Sequence, residues 1–192
     1  MRIHISRGNS KLGKIPNVSL PPIITCASNV PCKELCYARK FYDRAMLPSV
    51  RNAWNENYAI WKTDAEDYFC QIVEYLNKNK PARFRWYVSG DVPDKDYWEY
   101  VKETATKFPD TAFALYTKRD FVLDDSAEIP VNLHVRRSVW INEEIPQGSP
   151  PSFVTVLKST PIYGFECKGD CSKCWRCYMR IPENAPTYVR LH

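Results

Sequence analysis

Seven of the eight cysteines fall into two tight groups. Cys26, Cys32 and Cys36 are spaced C-x5-C-x3-C, Cys167, Cys171, Cys174 and Cys177 are spaced C-x3-C-x2-C-x2-C, and Cys70 stands alone. A disulfide framework usually spreads its cysteines along the chain, whereas thiols gathered at short spacings are the pattern of metal ligation. A structural zinc site needs four Cys or His ligands, generally as two spaced pairs. The first group has three thiols and no histidine near, because His4, His134 and His192 are the only imidazoles. Three thiolates on one loop suit a cubane iron-sulfur cluster, in which one iron is left open to a non-protein ligand. A fourth ligand borrowed from Cys167 would close it instead.

The second group reverses the spacing of the bacterial ferredoxin run, and its adjacent C-x2-C steps favour cluster binding over zinc. In ferredoxin runs the fourth cysteine can serve another cluster, so Cys171, Cys174 and Cys177 form the set common to both arrangements. The expectation is one or two 4Fe-4S clusters on these seven residues, with zinc as the alternative and disulfides as the remainder. A cubane with four thiolates carries a charge of about −2 and one with three about −1. Arg39, Lys40, Lys168, Lys173 and Arg176 are placed in sequence to offset it. Cys70 lies within a helical pattern, where a lone cysteine reads as a small buried hydrophobe.

The elements that must position these groups read as an α/β chain. Residues Arg2 to Pro22 carry Gly8, Gly13, Pro16, Pro21 and Pro22 and read as loop, with a short strand at Ile3 to Ser6. Leu47 to Lys62 places Val50, Trp54, Tyr58 and Trp61 on one helical face, with Pro48 in its first turn, and this aromatic stripe is expected in the core. A second helix starts at Asp64 as N-cap and buries Phe69, Ile72, Val73 and Leu76. Arg83 to Val88, a helix through Trp98, Val101, Ala105 and Phe108, and Thr111 to Tyr116 form a strand-helix-strand unit of the length a parallel crossover needs. Val131 to Val135 and Phe153 to Leu157 read as further strands, with loop from Ile145 to Pro151. In parallel sheets functional groups collect at the C-terminal strand ends. Three polar groups follow successive strands: Ser89-Gly90-Asp91, Thr117-Lys118-Arg119-Asp120 and Arg136-Arg137-Ser138. If the strands are neighbours, all three line one rim.

Composition bounds the rest. The 192 residues are 44% hydrophobic and 26% charged, which suits a single domain over 1–192 containing a cluster loop at 26–36 and a C-terminal cysteine module at 163–180. The net charge of +5 permits a polyanionic partner without demanding one. No apolar run approaches the roughly 18 residues of a membrane span, and the polar start carries no export signal, so cytoplasmic residence is expected. There is no Gly-x-Ser-x-Gly elbow and no phosphate-cradling glycine loop, and the histidines sit in no catalytic motif, which argues against nucleophilic hydrolysis.

Several strings together resemble the phage gene product 88 family of small cysteine-rich proteins: Gly8-Asn9-Ser10-Lys11-Leu12-Gly13, Ser19-Leu20-Pro21, Thr25-Cys26, Leu35-Cys36-Tyr37-Ala38-Arg39-Lys40, Pro48-Ser49-Val50-Arg51, Val88-Ser89-Gly90-Asp91, Tyr116-Thr117-Lys118 and the terminal cysteine run. The resemblance spans about Arg7 to Cys177 and implies residence in an infected bacterial host. The Cys-Tyr-Ala segment closing the three-cysteine loop is also similar to the cluster loop of radical S-adenosylmethionine enzymes, though the first and second gaps are longer than theirs. That resemblance implies a partial (β/α) barrel with the loop after its first strand, an open iron that binds S-adenosylmethionine, and an auxiliary C-terminal cluster. It implies that Ser89, Gly90 and Asp91 contact the cofactor's methionine amine, with Asp91 as the acting carboxylate. Lys118, Arg119 and Arg136 are then expected to bind an anionic substrate. The rival expectation is a non-enzymatic iron-sulfur protein that binds nucleic acid or a host protein, with Arg39, Lys40, Phe41, Tyr42 and Arg44 tracking a phosphate backbone.

Overall fold

Arg83-Phe84-Arg85-Trp86 shows in four residues how the chain is organised. A strand sends alternate side chains to opposite faces. Phe84 and Trp86 are fully buried, while Arg83 and Arg85 leave from the other side. The computed structural model describes residues 1–43, 48–125, 128–144, 150–182 and 184–191. Leu47 of the expected first helix, residues 145–149 of the expected loop, Arg44 and His192 lie outside the described residues.

Eight strands form one sheet: β1 (Ile5–Ser6), β2 (Asn17–Val18), β3 (Arg83–Trp86), β4 (Ala112–Thr117), β5 (Leu133–Val139), β6 (Ser152–Val156), β7 (Phe165–Glu166) and β8 (Thr187–Arg190). Their order is β1-β2-β3-β4-β5-β6-β8-β7. Only the β1/β2 pair is antiparallel. Among the described residues five α-helices accompany them: α1 (Tyr37–Tyr42), α2 (Pro48–Thr63), α3 (Ala65–Asn79), α4 (Lys95–Lys107) and α5 (Asp120–Leu123). The expected β3–α4–β4 crossover is present and parallel. Among the described residues no helix is long and apolar enough to cross a membrane.

One face of the sheet is closed by an apolar core. Val18, Phe84, Trp86, Phe113, Leu115, Leu133 and Val135 pack there against Ile60 and Trp61 of α2, Tyr68, Phe69, Ile72 and Leu76 of α3, and Tyr97, Trp98 and Val101 of α4. Trp61 meets Tyr97 edge-on at 4.8 Å, and the Tyr68 and Tyr97 hydroxyls share a buried hydrogen bond of 2.9 Å. Asp64 caps α3 as its sequence predicts, accepting from the Asp67 N–H. The opposite face carries a smaller cluster of Leu12, Ile15, Ala114 and Tyr178, against which Cys171 and Cys177 pack.

Four expectations shift. The strand expected to reach Val88 ends at Trp86, because Tyr87 turns to a φ of +65° that no strand residue adopts. The strand expected at Val131 starts at Leu133 and runs to Val139, so Arg136, Arg137 and Ser138 lie in a strand and not in a loop. Val131 is 94% exposed ahead of it. The aromatic stripe of α2 divides: Trp61 is core, whereas Val50 and Trp54 are half-buried and line a cavity. Cys70 is exposed, off the Tyr68, Phe69, Ile72 and Leu76 stripe that α3 buries.

Asn57 joins the parts that lead to the site. It is fully buried on α2; its Oδ1 accepts from the His4 N–H at 2.7 Å, and its Nδ2 donates to the carbonyls of His4 and Ser19, each at 3.0 Å. Truncation leaves buried backbone groups without partners, so Asn57→Ala is expected to lower the unfolding free energy by about 2 to 3 kcal/mol, read from a urea midpoint. His134 on β5 supplies a pH dependence. Burial and the nearby Arg136 guanidinium hold its imidazole down to about 4, below the 6.5 of the free group. The unfolded chain binds the proton more readily, so stability falls as pH drops from 6.5 through 4. His134→Gln is expected to flatten that part of a stability-against-pH profile.

Candidate functional site

Immediately after β2, Ser19 and Leu20 enter the loop that carries the first three cysteines. The Ser19 hydroxyl accepts from the Val88 N–H at 3.0 Å, and the Leu20 N–H donates to the Ser89 carbonyl at 3.0 Å. Thr25, beside Cys26, donates its hydroxyl proton to the Pro21 carbonyl at 2.8 Å and accepts from the Asp91 N–H at 3.2 Å. Its carbonyl receives Arg119 Nη2 at 2.6 Å. Beyond Cys36, the Tyr37 hydroxyl donates to the Val88 carbonyl. The loop is therefore fastened at both ends to the turns that follow β3 and β4.

Gly90 permits that fastening. It sits at φ +80°, and a Cβ there would lie 2.6 Å from Thr25 Oγ1, 2.8 Å from the Leu20 carbonyl oxygen and 2.9 Å from Leu20 Cβ. Next to it Asp91 is buried, its Oδ1 accepting from the Val92 N–H at 2.7 Å and its Oδ2 from the Lys118 N–H at 3.0 Å. Burial raises its carboxyl above the ordinary value, and bonds from Lys118, Thr117 and Val92 pull it back. Ser89 is also buried, and its hydroxyl has no partner among the described residues.

Ser89, Gly90, Asp91 and Lys118 line one large cavity of about 2560 Å³ with Cys26, Cys32 and Cys36, while Cys167, Cys171 and Cys177 line it from the second group. The thiols within each group feel one another's charge. Burial, then Asp91, pushes the Cys26 thiol up to about 12; burial also raises Cys32, against the pull of the Lys118 ammonium. Burial likewise raises Cys171 and Cys177, opposed by Arg85 at both and by the Tyr116 hydroxyl and Arg136 at Cys177. All eight cysteines are free thiols. In kind, two groups of neighbouring free thiols fit a thiolate-bound cluster. As they stand, no three Cys, His, Asp or Glu side chains among the described residues are gathered to hold an ion. Cysteines ligate a metal as thiolates, so binding at either group would displace their protons.

The cations expected to meet an anionic substrate are held by the chain itself. Lys118 Nζ bonds the Ser138 carbonyl at 2.7 Å and Glu143 at 2.6 Å. Arg119 bonds the carbonyls of Val92, Thr25 and Pro93. Arg136 is buried and turns to the C-terminal module, donating to the Met179 carbonyl at 2.6 Å and that of Arg176 at 3.3 Å. It is thus separated from the rim that Asp91 and Lys118 share. The five cations expected to offset cluster charge are largely paired elsewhere: Arg39 with Asp43, Lys168 with Glu166, Lys173 with Asp170, and Arg176 with Thr187 and the Ala185 carbonyl. Tyr42, one ring of the expected nucleic-acid stripe, is stacked on Trp54 with ring centroids 6.3 Å apart.

Two arginines on β3 were missed by sequence reasoning. Arg83 Nη1 donates to the carbonyls of Cys171 at 2.7 Å and Cys174 at 3.0 Å, with its guanidinium 4.3 Å over the Trp175 ring. Arg85 lies beneath the cavity with its guanidinium 3.5 Å over the Tyr116 ring. Their signal was available, since two charges alternating with aromatics in a central parallel strand contradict the apolar runs such strands usually show.

A family model described as Gene product 88 matches residues 4–148. It takes in the first cysteine group and the turns around it and ends before the second. No curated protein and no solved structure matches the chain.

The closeness at Gly90 sets an expected outcome. Gly90→Ala combines a left-handed backbone with three contacts under 3.0 Å, two of them to Leu20. It should cost about 2 kcal/mol or more in chemical unfolding. Thiol labelling should show Cys26 exposed to reagent at denaturant concentrations where the rest of the fold persists.

Proposed function

We propose an iron-sulfur function for this chain, which belongs to the Gene product 88 family, with radical S-adenosylmethionine-type chemistry on an anionic substrate. One observation carries the reading: the three-cysteine loop follows the first parallel strand, the Ser89-Gly90-Asp91 turn follows the next, and both open on one cavity with the second cysteine group. Parallel strands β2 to β6 lie side by side in chain order, which agrees with an arc of a (β/α) barrel.

Cys26, Cys32 and Cys36 would hold the active cluster, and Cys171, Cys174 and Cys177, with Cys167, an auxiliary one. Bound there, the cluster supplies an electron for cleavage of the cofactor's sulfonium bond. The chain's own part is positioning. Gly90 lets main chain approach closely, the Ser89 hydroxyl, without a partner among the described residues, offers a hydrogen bond, and the buried Asp91 would present its carboxylate to an ammonium group. Trp54, Tyr37 and Trp140 give the cavity an aromatic wall.

The test is iron, sulfide and zinc content on protein purified without oxygen, with electron paramagnetic resonance of the reduced sample before and after S-adenosylmethionine. About eight irons per chain, as two cubanes require, and a spectrum altered by the cofactor are expected. Zinc alone removes the redox reading. Iron with no response to S-adenosylmethionine, together with salt-dependent binding to single-stranded DNA, puts the non-enzymatic binding protein in its place.

A further inference from the structure

We infer that Arg85 and Asn17 form a binding site for the oxyanion group, carboxylate or phosphate monoester, of a small ligand with an aromatic or apolar body. Arg85 on β3 and Asn17 on β2 are direct partners in the parallel register, so their side chains leave the same face of adjacent strands about 4.8 Å apart. Both line the cavity. Asn17 is only 4% exposed, and its Nδ2 has no hydrogen-bond partner among the described residues. Arg85 gives Nε to the Tyr87 carbonyl at 2.9 Å and forms no ion pair with Asp or Glu among the described residues. The groups whose charge it feels are the phenols of Tyr116, Tyr178 and Tyr37 and the Cys177 thiol.

Arg85 is half-buried, so its guanidinium is partly desolvated without a carboxylate to compensate, and the buried amide with an unmet donor beside it adds to that cost. One oxyanion would satisfy both. With Nε engaged, Nη1 and Nη2 remain as a fork for two oxygens, and Asn17 Nδ2 supplies a third donor. Stacking on Tyr116 fixes the plane of the fork. Tyr37, Trp140 and Phe153 on the cavity wall suit an apolar or aromatic body. Lys118, Arg119 and Arg136 leave this role open, since their heads are already bonded within the chain.

As the identity of the substrate of cluster chemistry, this inference rests on the iron-sulfur reading. As a binding site it is tested without turnover, so the two fail separately. The full-length protein is titrated calorimetrically with benzoate, phenyl phosphate and the neutral benzamide. Binding of either anion, with benzamide inert, is expected, and the anion that binds identifies the group. Arg85→Gln should weaken it by at least about tenfold. Asn17→Asp places a carboxylate beside Arg85 and should abolish anion binding while the thermal midpoint holds or rises. Equal binding of benzamide, or anion binding indifferent to both substitutions, overturns the assignment. Failure of both anions to bind the wild-type protein also overturns it, and loss of iron from Arg85→Gln in that case makes the guanidinium the counter-charge of Cys177.

Discussion

The apolar face of the parallel sheet is the constraint from which the site follows. Phe84, Trp86, Phe113 and Leu115 are fully buried against α2, α3 and α4, and this packing takes up every alternate residue of the two central strands. With that face sealed, the residues between them have only the other side to occupy. Arg83, Arg85, Ala114 and Tyr116 are thereby delivered to one surface, at positions set by strand register and not by loop conformation. A site floored by strands is held more stiffly than one floored by loops. The cysteine loop can then be an irregular segment, provided that it is tied to those strands.

The ties are polar, and most run to the main chain. Asn57 holds the approach to the loop, Thr25 and Gly90 hold its middle, and Arg119 reaches the Thr25 carbonyl from the turn after β4. Asp91 joins the turns after β3 and β4 through two backbone N–H groups. Its carboxylate therefore has a structural task as well as the chemical one proposed for it. Charge placed near Cys26 by Asp91 and near Cys32 by Lys118 makes the two thiols electrically unlike, although they share one loop.

The sequence disclosed periodic features better than it disclosed who partners whom. The crossover from β3 through α4 to β4 and the cap at Asp64 were legible because hydrophobic spacing and capping are local. The end of β3 was not, because it depends on the positive φ of Tyr87, which no side-chain pattern announces. Arg136 read as a rim cation because the strand containing it was placed too early; pairing with β4 to Arg137 and with β6 beyond it carries that strand to Val139. The grouping of Cys26, Cys32 and Cys36 with Ser89, Gly90 and Asp91 was suggested only by the resemblance to radical S-adenosylmethionine enzymes, because β2, the strand that leads into the cysteine loop, falls in a stretch that read as loop. The pairing of Asn17 with Arg85 was not legible, since it joins residues far apart in the chain whose adjacency only the sheet creates.

Arg83 and Arg136 grasp the C-terminal module through the carbonyls of Cys171, Cys174, Arg176 and Met179. A grip on main chain reads the path of a segment and is indifferent to its side chains. The two arginines thus act as a socket on the sheet, to which Cys171 and Cys177 add apolar contact with Leu12, Ile15, Ala114 and Tyr178. Side chains of the module outside those contacts can therefore be exchanged while the seat that receives its main chain stays the same.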